Sequence, residues 1–302
     1  MSISPPFLKP GDKIAMTATA RKVSREEMQP AIDIFQSWGL TVFLPDELFE
    51  SENQFAGNDE TRTKSLQKLL DDETIKAVFC ARGGYGSVRI IDQLNFSSFK
   101  SKPKWIVGYS DITVLHNHIN KNLNIQTLHA TMPINMQLHN SDEESISSLN
   151  KLLFGENVSY QIASHPFNKK GEVKAKLVGG NLSVIYSLLG SNSDIDTSGK
   201  ILFLEDLDEY LYHIDRMMMN LKRNGKLQNL AGIVIGGMSD MKDNAIPFGK
   251  TAEEIIFSHL KDFNYPICFG FPAGHEKKNL ALKMGSAVLL KVDNEFSQLS
   301  FQ

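Results

Sequence analysis

Apolar positions in the first 125 residues fall into short continuous runs separated by stretches with helical spacing. KIAMTATA (13–20) follows the Pro10-Gly11 turn and reads as a buried strand. Ser24-Arg25-Glu26-Glu27 forms a capping box that opens a helix, and Gly39 closes it. LTVFL (40–44) and IKAVFCA (75–81) are further strands, with a helix around 59–71 between them presenting Leu66, Leu69 and Leu70 on one face. The ARGGYGS loop (81–87) leads into a helix with Val88, Ile91 and Leu94 in period. KWIVG (104–108) is a fourth strand, and Ile112, Leu115 and Ile119 mark the helix that follows. Strands spaced by helices predict a parallel sheet covered on both faces. Ligands of such sheets bind beyond the carboxyl ends of the strands, where the ARGGYGS and GYSD loops fall.

The rhythm breaks between about 140 and 172, a polar, Ser/Asn-rich stretch that includes HPFNKKG. It resumes with VKAKLVGGNLSVIYSLLGS (173–191), read as a short strand, a Gly-Gly turn and a helix. KILFLEDLDE (200–209) is a strand ending in acids, followed by a helix to about 223 and a strong strand, LAGIVIGGM (230–238). A helix near 251–262 and a late strand, SAVLLKV, complete a less regular half. The pattern predicts an α/β chain of two domains: residues 1–150, a linker or crossover over 151–172, and a smaller unit over 173–302. The 302 residues and 41% hydrophobic content suffice for both. No internal repeat or low-complexity tract stands out.

Charge changes the picture only by exclusion. With 32 basic and 35 acidic side chains, the net charge of -3 offers no footprint for nucleic acid or an anionic membrane. No apolar run approaches a membrane span, and the N-terminus lacks a basic segment followed by an apolar core. Cys80 and Cys268 each sit in an apolar stretch, as buried reduced thiols do. The expectation is a soluble, cytoplasmic protein with small or neutral partners.

The candidate chemistry lies at strand exits. Ser110 stands between the WIVG strand and a helix, where a hydroxyl can be held up as a nucleophile with the Asp111 N–H behind it as an oxyanion donor. The residues are G-Y-S-D-I and not G-x-S-x-G, and a serine or aspartate here is more commonly a plain helix cap. Glu205 and Asp206 end another strand, as an orienting acid or again as caps. Among eight histidines, His275 occupies a Gly/Pro-shaped loop after ICFGF, whereas His116 and His118 lie on a helix and His129 follows a short apolar stretch. His139, His165, His213 and His259 have polar or helical surroundings. Gly83 and Gly84 suit a phosphate cradle, an oxyanion donor or a tight turn equally. No metal-ligand spacing is present, and Met217-Met218-Met219 reads as core filler. Ser, Glu and His in this chain order match one known order of a hydrolytic triad.

Taken in order, LKPGDKIA, IKAVFCARGGYGS, PKWIVGYSDIT, TLHATMP, LVGGNLSVIYSLLGS, KILFLEDLDEYLYHIDRMM and FGFPAGHEKKNLALKMG resemble the LD-carboxypeptidases. These serine peptidases remove terminal D-alanine from peptidoglycan tetrapeptides, and a branch of the family inactivates the peptide-nucleotide antibiotic microcin. The resemblance implies a flavodoxin-like parallel-sheet domain and a smaller, swivelling β-rich domain with the site between them. It implies Ser110 as nucleophile, Glu205 as acid and His275 as base, with Asp111 and one of Gly83 and Gly84 as oxyanion donors. It further implies a homodimer, a murein tetrapeptide as substrate, and no metal or organic cofactor. Two motifs depart from the family pattern: TATA stands where many members have a Pro-Ser pair, and Ala130 where a glycine is common. Both lie near strand ends and bear on substrate detail. The rival readings are a microcin-type peptidase, for which the short segment 239–250 offers one aromatic, Phe248, and a non-catalytic phosphate- or sugar-binding protein.

Overall fold

A computed structural model describes residues 2–137 and 142–301. The first half contains strands β1 (Lys13–Thr17), β2 (Thr41–Phe43), β3 (Ile75–Cys80), β4 (Trp105–Gly108) and β5 (Thr127–His129). Helices α1 (Arg25–Ser37), α2 (Asp59–Asp71), α3 (Ser87–Ile90), α4 (Ser97–Ser101) and α5 (Thr113–Asn122) alternate with them. The box at Ser24 forms as its sequence requires. Ser24 Oγ accepts from the Glu27 N–H, and the Glu27 carboxylate accepts from the Ser24 N–H. Four parallel pairings set the order β2-β1-β3-β4-β5, the flavodoxin-like arrangement.

The second half comprises α6 (Glu143–Leu153), β6 (Val158–Ala163), β7 (Gly171–Asn181), α7 (Leu182–Leu188), β8 (Ile201–Leu207), α8 (Leu211–Arg223), β9 (Gly232–Ser239) and α9 (Ala252–Leu260). It ends with β10 (Ile267–Cys268), β11 (Leu282–Met284), β12 (Ala287–Val292) and β13 (Phe296–Phe301). Its seven-stranded sheet runs β10-β9-β8-β7-β12-β13-β6, parallel on the β10 side and antiparallel from β7 outward.

Three features differ from the expectations drawn above. The stretch read as a linker over 151–172 contains β6, whose buried-exposed alternation packs it on β13 as an edge strand. Gly179 and Gly180 make no turn but continue β7 straight into α7. A Cβ at Gly179 would lie 2.0 Å from the Phe203 carbonyl oxygen, and one at Gly180 2.4 Å from Thr113 Oγ1. Close approach of backbones explains this glycine pair. Finally, β11 leaves the second half and pairs antiparallel with β5 at the edge of the first sheet.

The two halves share apolar packing. One buried cluster joins Phe79, Val107 and Leu128 of the first sheet to Phe203, Phe271 and Leu290. Polar ties cross the same boundary, where the Asn181 N–H donates to Thr113 Oγ1 at 3.0 Å. Cys80 and Cys268 are buried and unbridged. Met217 and Met218 are core residues, whereas Met219 is exposed. No helix among the described residues is long and apolar enough to cross a membrane.

Candidate active site

The carboxyl ends of β1, β3 and β4 meet those of β7 and β8 at a cavity of about 520 Å³. Its walls include Arg21, Arg82, Gly83, Gly84, Tyr109, Ser110, Asn181, Asp206 and His275. This volume is in the usual range for small-ligand sites.

Ser110 follows the extended Tyr109 with φ +66°, a left-handed conformation that costs a non-glycine residue energy. It opens a 3-10 turn, Ser110–Ile112, that runs into α5. No side chain caps the start of either segment, so the simple cap role for Ser110 is not realised. The strained backbone turns the side chain toward the cavity instead.

Asp111 does act as a cap, though for another helix. Its buried carboxylate accepts from the Ser87 N–H at 2.8 Å, at the first residue of α3. Burial raises its pKa, opposed by hydrogen bonds from Ser87 and by the charge of Arg62. This bond ties the GYSD loop to the ARGGYGS loop. The buried Arg62 of α2 completes the frame by donating to the carbonyls of Thr19, Gly86 and, at 3.3 Å, Gly57. Within it Gly83 lies against the serine: a Cβ there would sit 3.0 Å from Ser110 Cβ and 3.1 Å from its Oγ. A Cβ at Gly84 would strike the Arg21 side chain at 2.7 Å.

Glu205 and Asp206 leave β8 in different roles. The β8–β9 register shifts between Leu204 and Asp206, the local irregularity that lets adjacent strand residues be re-aimed. Glu205, fully buried, accepts from His275 through one oxygen, at 2.7 Å from Nδ1 and 3.2 Å from the backbone N–H. Asp206 takes the capping role. It accepts from the Ser183 and Leu207 N–H groups and from Asn181 Nδ2, all at 2.9 Å. Burial and the neighbouring Glu205 charge push Asp206 up to about 7.

His275 reaches Glu205 because residue 274 is glycine. A Cβ at Gly274, where φ is +112°, would come within 2.6 Å of Glu205 Oε2. The imidazole also packs on the Tyr109 ring, with centroids 4.8 Å apart. Burial disfavours the charged ring, but the charge and hydrogen bond of Glu205, aided by Asp206, hold its pKa above the ordinary histidine value. With Nδ1 engaged, Nε2 is the nitrogen left for chemistry.

Ser110, Asp111, Gly83, Gly84, Glu205 and His275 are therefore all gathered at one locus. Arrangements of this kind suit acyl transfer by a hydroxyl nucleophile. His116 and His129 are buried beneath it, where burial lowers both pKa values. His139 lies outside the described residues.

Residues 14–130 match the model of the LD-carboxypeptidase N-terminal domain, and residues 174–290 that of the LD-carboxypeptidase C-terminal domain. The chain belongs to the LD-carboxypeptidase family. This LD-carboxypeptidase is 33% identical over 294 residues to a probable murein peptide carboxypeptidase of Bacillus subtilis, covering 95% of the chain and 91% of the relative. A murein tetrapeptide carboxypeptidase of Pseudomonas aeruginosa is 24% identical, with 92% and 93% covered. A muramoyltetrapeptide carboxypeptidase from Oxalobacter formigenes superposes with a TM-score of 0.87 at 27% identity, over 96% of this chain and 98% of that one. A microcin C7 self immunity protein in complex with aspartyl sulfamoyl adenosine shares the fold, with a TM-score of 0.88 at 19% identity over 100% and 99% of the chains.

Arg62, Tyr109 and Asn181 were not foreseen from the sequence of this LD-carboxypeptidase, and the cap expected of Asp206 serves the preceding helix α7 and not the one that follows β8. Tyr109 lies within the GYSD motif, and its bulk beside the serine was the available signal. Arg62 gave none, since its role rests on carbonyls from three separate loops.

Proposed function

We propose that this LD-carboxypeptidase releases the terminal D-alanine of murein tetrapeptides in cell-wall recycling, by serine acyl transfer at Ser110. The observation that carries this reading is the buried Glu205–His275 pair opening onto the same cavity as the strained Ser110. The names of the relatives support the substrate class. The first unit, residues 1–150, supplies the nucleophile, and the second, residues 173–302, supplies the acid and base.

In this mechanism His275 Nε2 takes the proton of Ser110 Oγ as that oxygen attacks the carbonyl between the diamino acid and D-alanine. Glu205 fixes the imidazole tautomer through Nδ1 and stabilises the imidazolium that forms. The Asp111 N–H, in the first turn where amides lack intrahelical acceptors, receives the oxyanion. A second donor comes from the glycine turn, and contact with the Ser110 hydroxyl favours Gly83 over Gly84. Each such donor is worth roughly 3 kcal/mol. The C–N bond then breaks as His275 returns the proton to the amine of D-alanine. Water, activated by the same histidine, releases the shortened peptide from the serine ester. The proposal includes a cytoplasmic homodimer, for which sedimentation of the purified protein is the check.

Mass spectrometry of a murein tetrapeptide incubated with the protein tests the reaction. Loss of one alanine is expected, and Ser110→Ala should lower the rate by about 10⁶-fold. An unaltered tetrapeptide, or near-unchanged turnover by Ser110→Ala, would refute it.

A further inference from the structure

An enzyme that removes a single terminal residue must sense the chain end close to the scissile bond. Successive residues advance by about 3.8 Å, so the terminal carboxylate lies only one step beyond the attacked carbonyl. A group that reads it must stand next to the nucleophile.

The cavity is electrically divided. The wall formed by the loops after β1 and β3 carries two cations, Arg21 and Arg82, while the wall after β8 carries Asp206, Asp208 and Glu209. On the acidic side, Asp208 is paired with Lys242 at 2.6 Å and Glu209 with His213 at 2.6 Å. On the basic side Arg82 has, among the described residues, only a long contact to Glu27, at 3.9 Å. Arg21 has no hydrogen-bond or ion-pair partner for its guanidinium among the described residues. Its position is nevertheless defined. The stem crosses Gly84, where an added Cβ would be 2.7 Å from Cγ and Cδ and 2.9 Å from Nε. Residue 83, one place earlier, touches the Ser110 hydroxyl. The stem of this unpaired arginine thus crosses the residue next to the one that touches the nucleophile, and both arginine and serine line the same cavity.

We propose that Arg21, with Arg82 beside it, holds the terminal carboxylate of the departing residue and makes the enzyme an exopeptidase. This rests on the peptidase reading above and adds to it the residue that recognises the chain end. A planar guanidinium matches a carboxylate in two parallel hydrogen bonds, which a lysine does not reproduce. Arg21 belongs to the TATARK segment, the loop in which this chain departs from the family pattern.

The test is calorimetric binding of a murein tetrapeptide, as free acid and as C-terminal amide, to the Ser110→Ala protein. The acid should bind more tightly than the amide. Adding Arg21→Ala should weaken the acid roughly a hundredfold, the scale of two hydrogen bonds to a charged group at the low end of their range, and leave the amide unchanged. Arg21→Lys should restore part of the loss. Equal binding of acid and amide, equal weakening of both by Arg21→Ala, or no binding of either would overturn the proposal. Cleavage of the tetrapeptide by the unsubstituted enzyme is measured separately. Failure of the anchor is thereby distinguished from failure of the peptidase reading.

Discussion

Replacing Ser110 with glycine should make the protein more stable while abolishing its activity. Ser110 sits at φ +66°, and a left-handed conformation costs an L-residue about 1–2 kcal/mol. Glycine escapes that cost but gives the unfolded chain about 0.4–1 kcal/mol of extra freedom. Alanine keeps the strain and loses the same hydroxyl, which makes no cap bond at the start of the helix. Comparing Ser110→Gly with Ser110→Ala therefore isolates the backbone term, leaving glycine ahead by about 0.5–1 kcal/mol. With an unfolding entropy of about 2.1 cal/mol/K per residue over 302 residues, this corresponds to roughly 1–2 °C in Tm. Differential scanning calorimetry of the two purified variants, run side by side, resolves such a shift. A glycine variant melting at or below the alanine variant would refute the claim that strain is held at the nucleophile.

Three further outcomes follow from the same geometry. The ascending limb of kcat/KM against pH should have its midpoint above the ordinary histidine value, because neutral His275 is the competent base and Glu205 favours its charged form. Glu205→Gln should move that limb to lower pH and reduce kcat by about 10⁴-fold; an unmoved limb would remove His275 from the base role. Gly83→Ala should cut turnover about 10²-fold by displacing Ser110 from a Cβ only 3.0 Å away, with the melting temperature little changed. Turnover within threefold of the parent would show that the glycine does not position the serine.

How much of this could be read from the chain depended on whether the cause was local. The Ser24 box and the GYSD and ARGGYGS loops were legible, because capping, turn chemistry and strand exits are written in adjacent residues. The parallel order of the first sheet follows from strand–helix alternation. The glycine pair at 179–180 was misread because a Gly-Gly step suggests a turn locally. Its cause is the Phe203 carbonyl and the Thr113 hydroxyl, remote in sequence. Neighbouring acids at 205 and 206 could not be given separate roles before the register shift in β8 was visible. The alternation in VSYQIA was present but masked by the polar stretch around it, and the three-residue β11 was too short for any periodicity to reveal.

That short strand has a consequence for synthesis. The edge of the first sheet at β5 is closed by residues 282–284, more than 150 positions later in the chain. Until they leave the ribosome, the Thr127–His129 edge has unpaired amide and carbonyl groups, the kind of surface on which chains pair with one another. Cutting the gene between the two halves would leave that edge open permanently. The nucleophile-bearing half is thus a late-finishing unit, and its productive fold depends on the last tenth of the polypeptide.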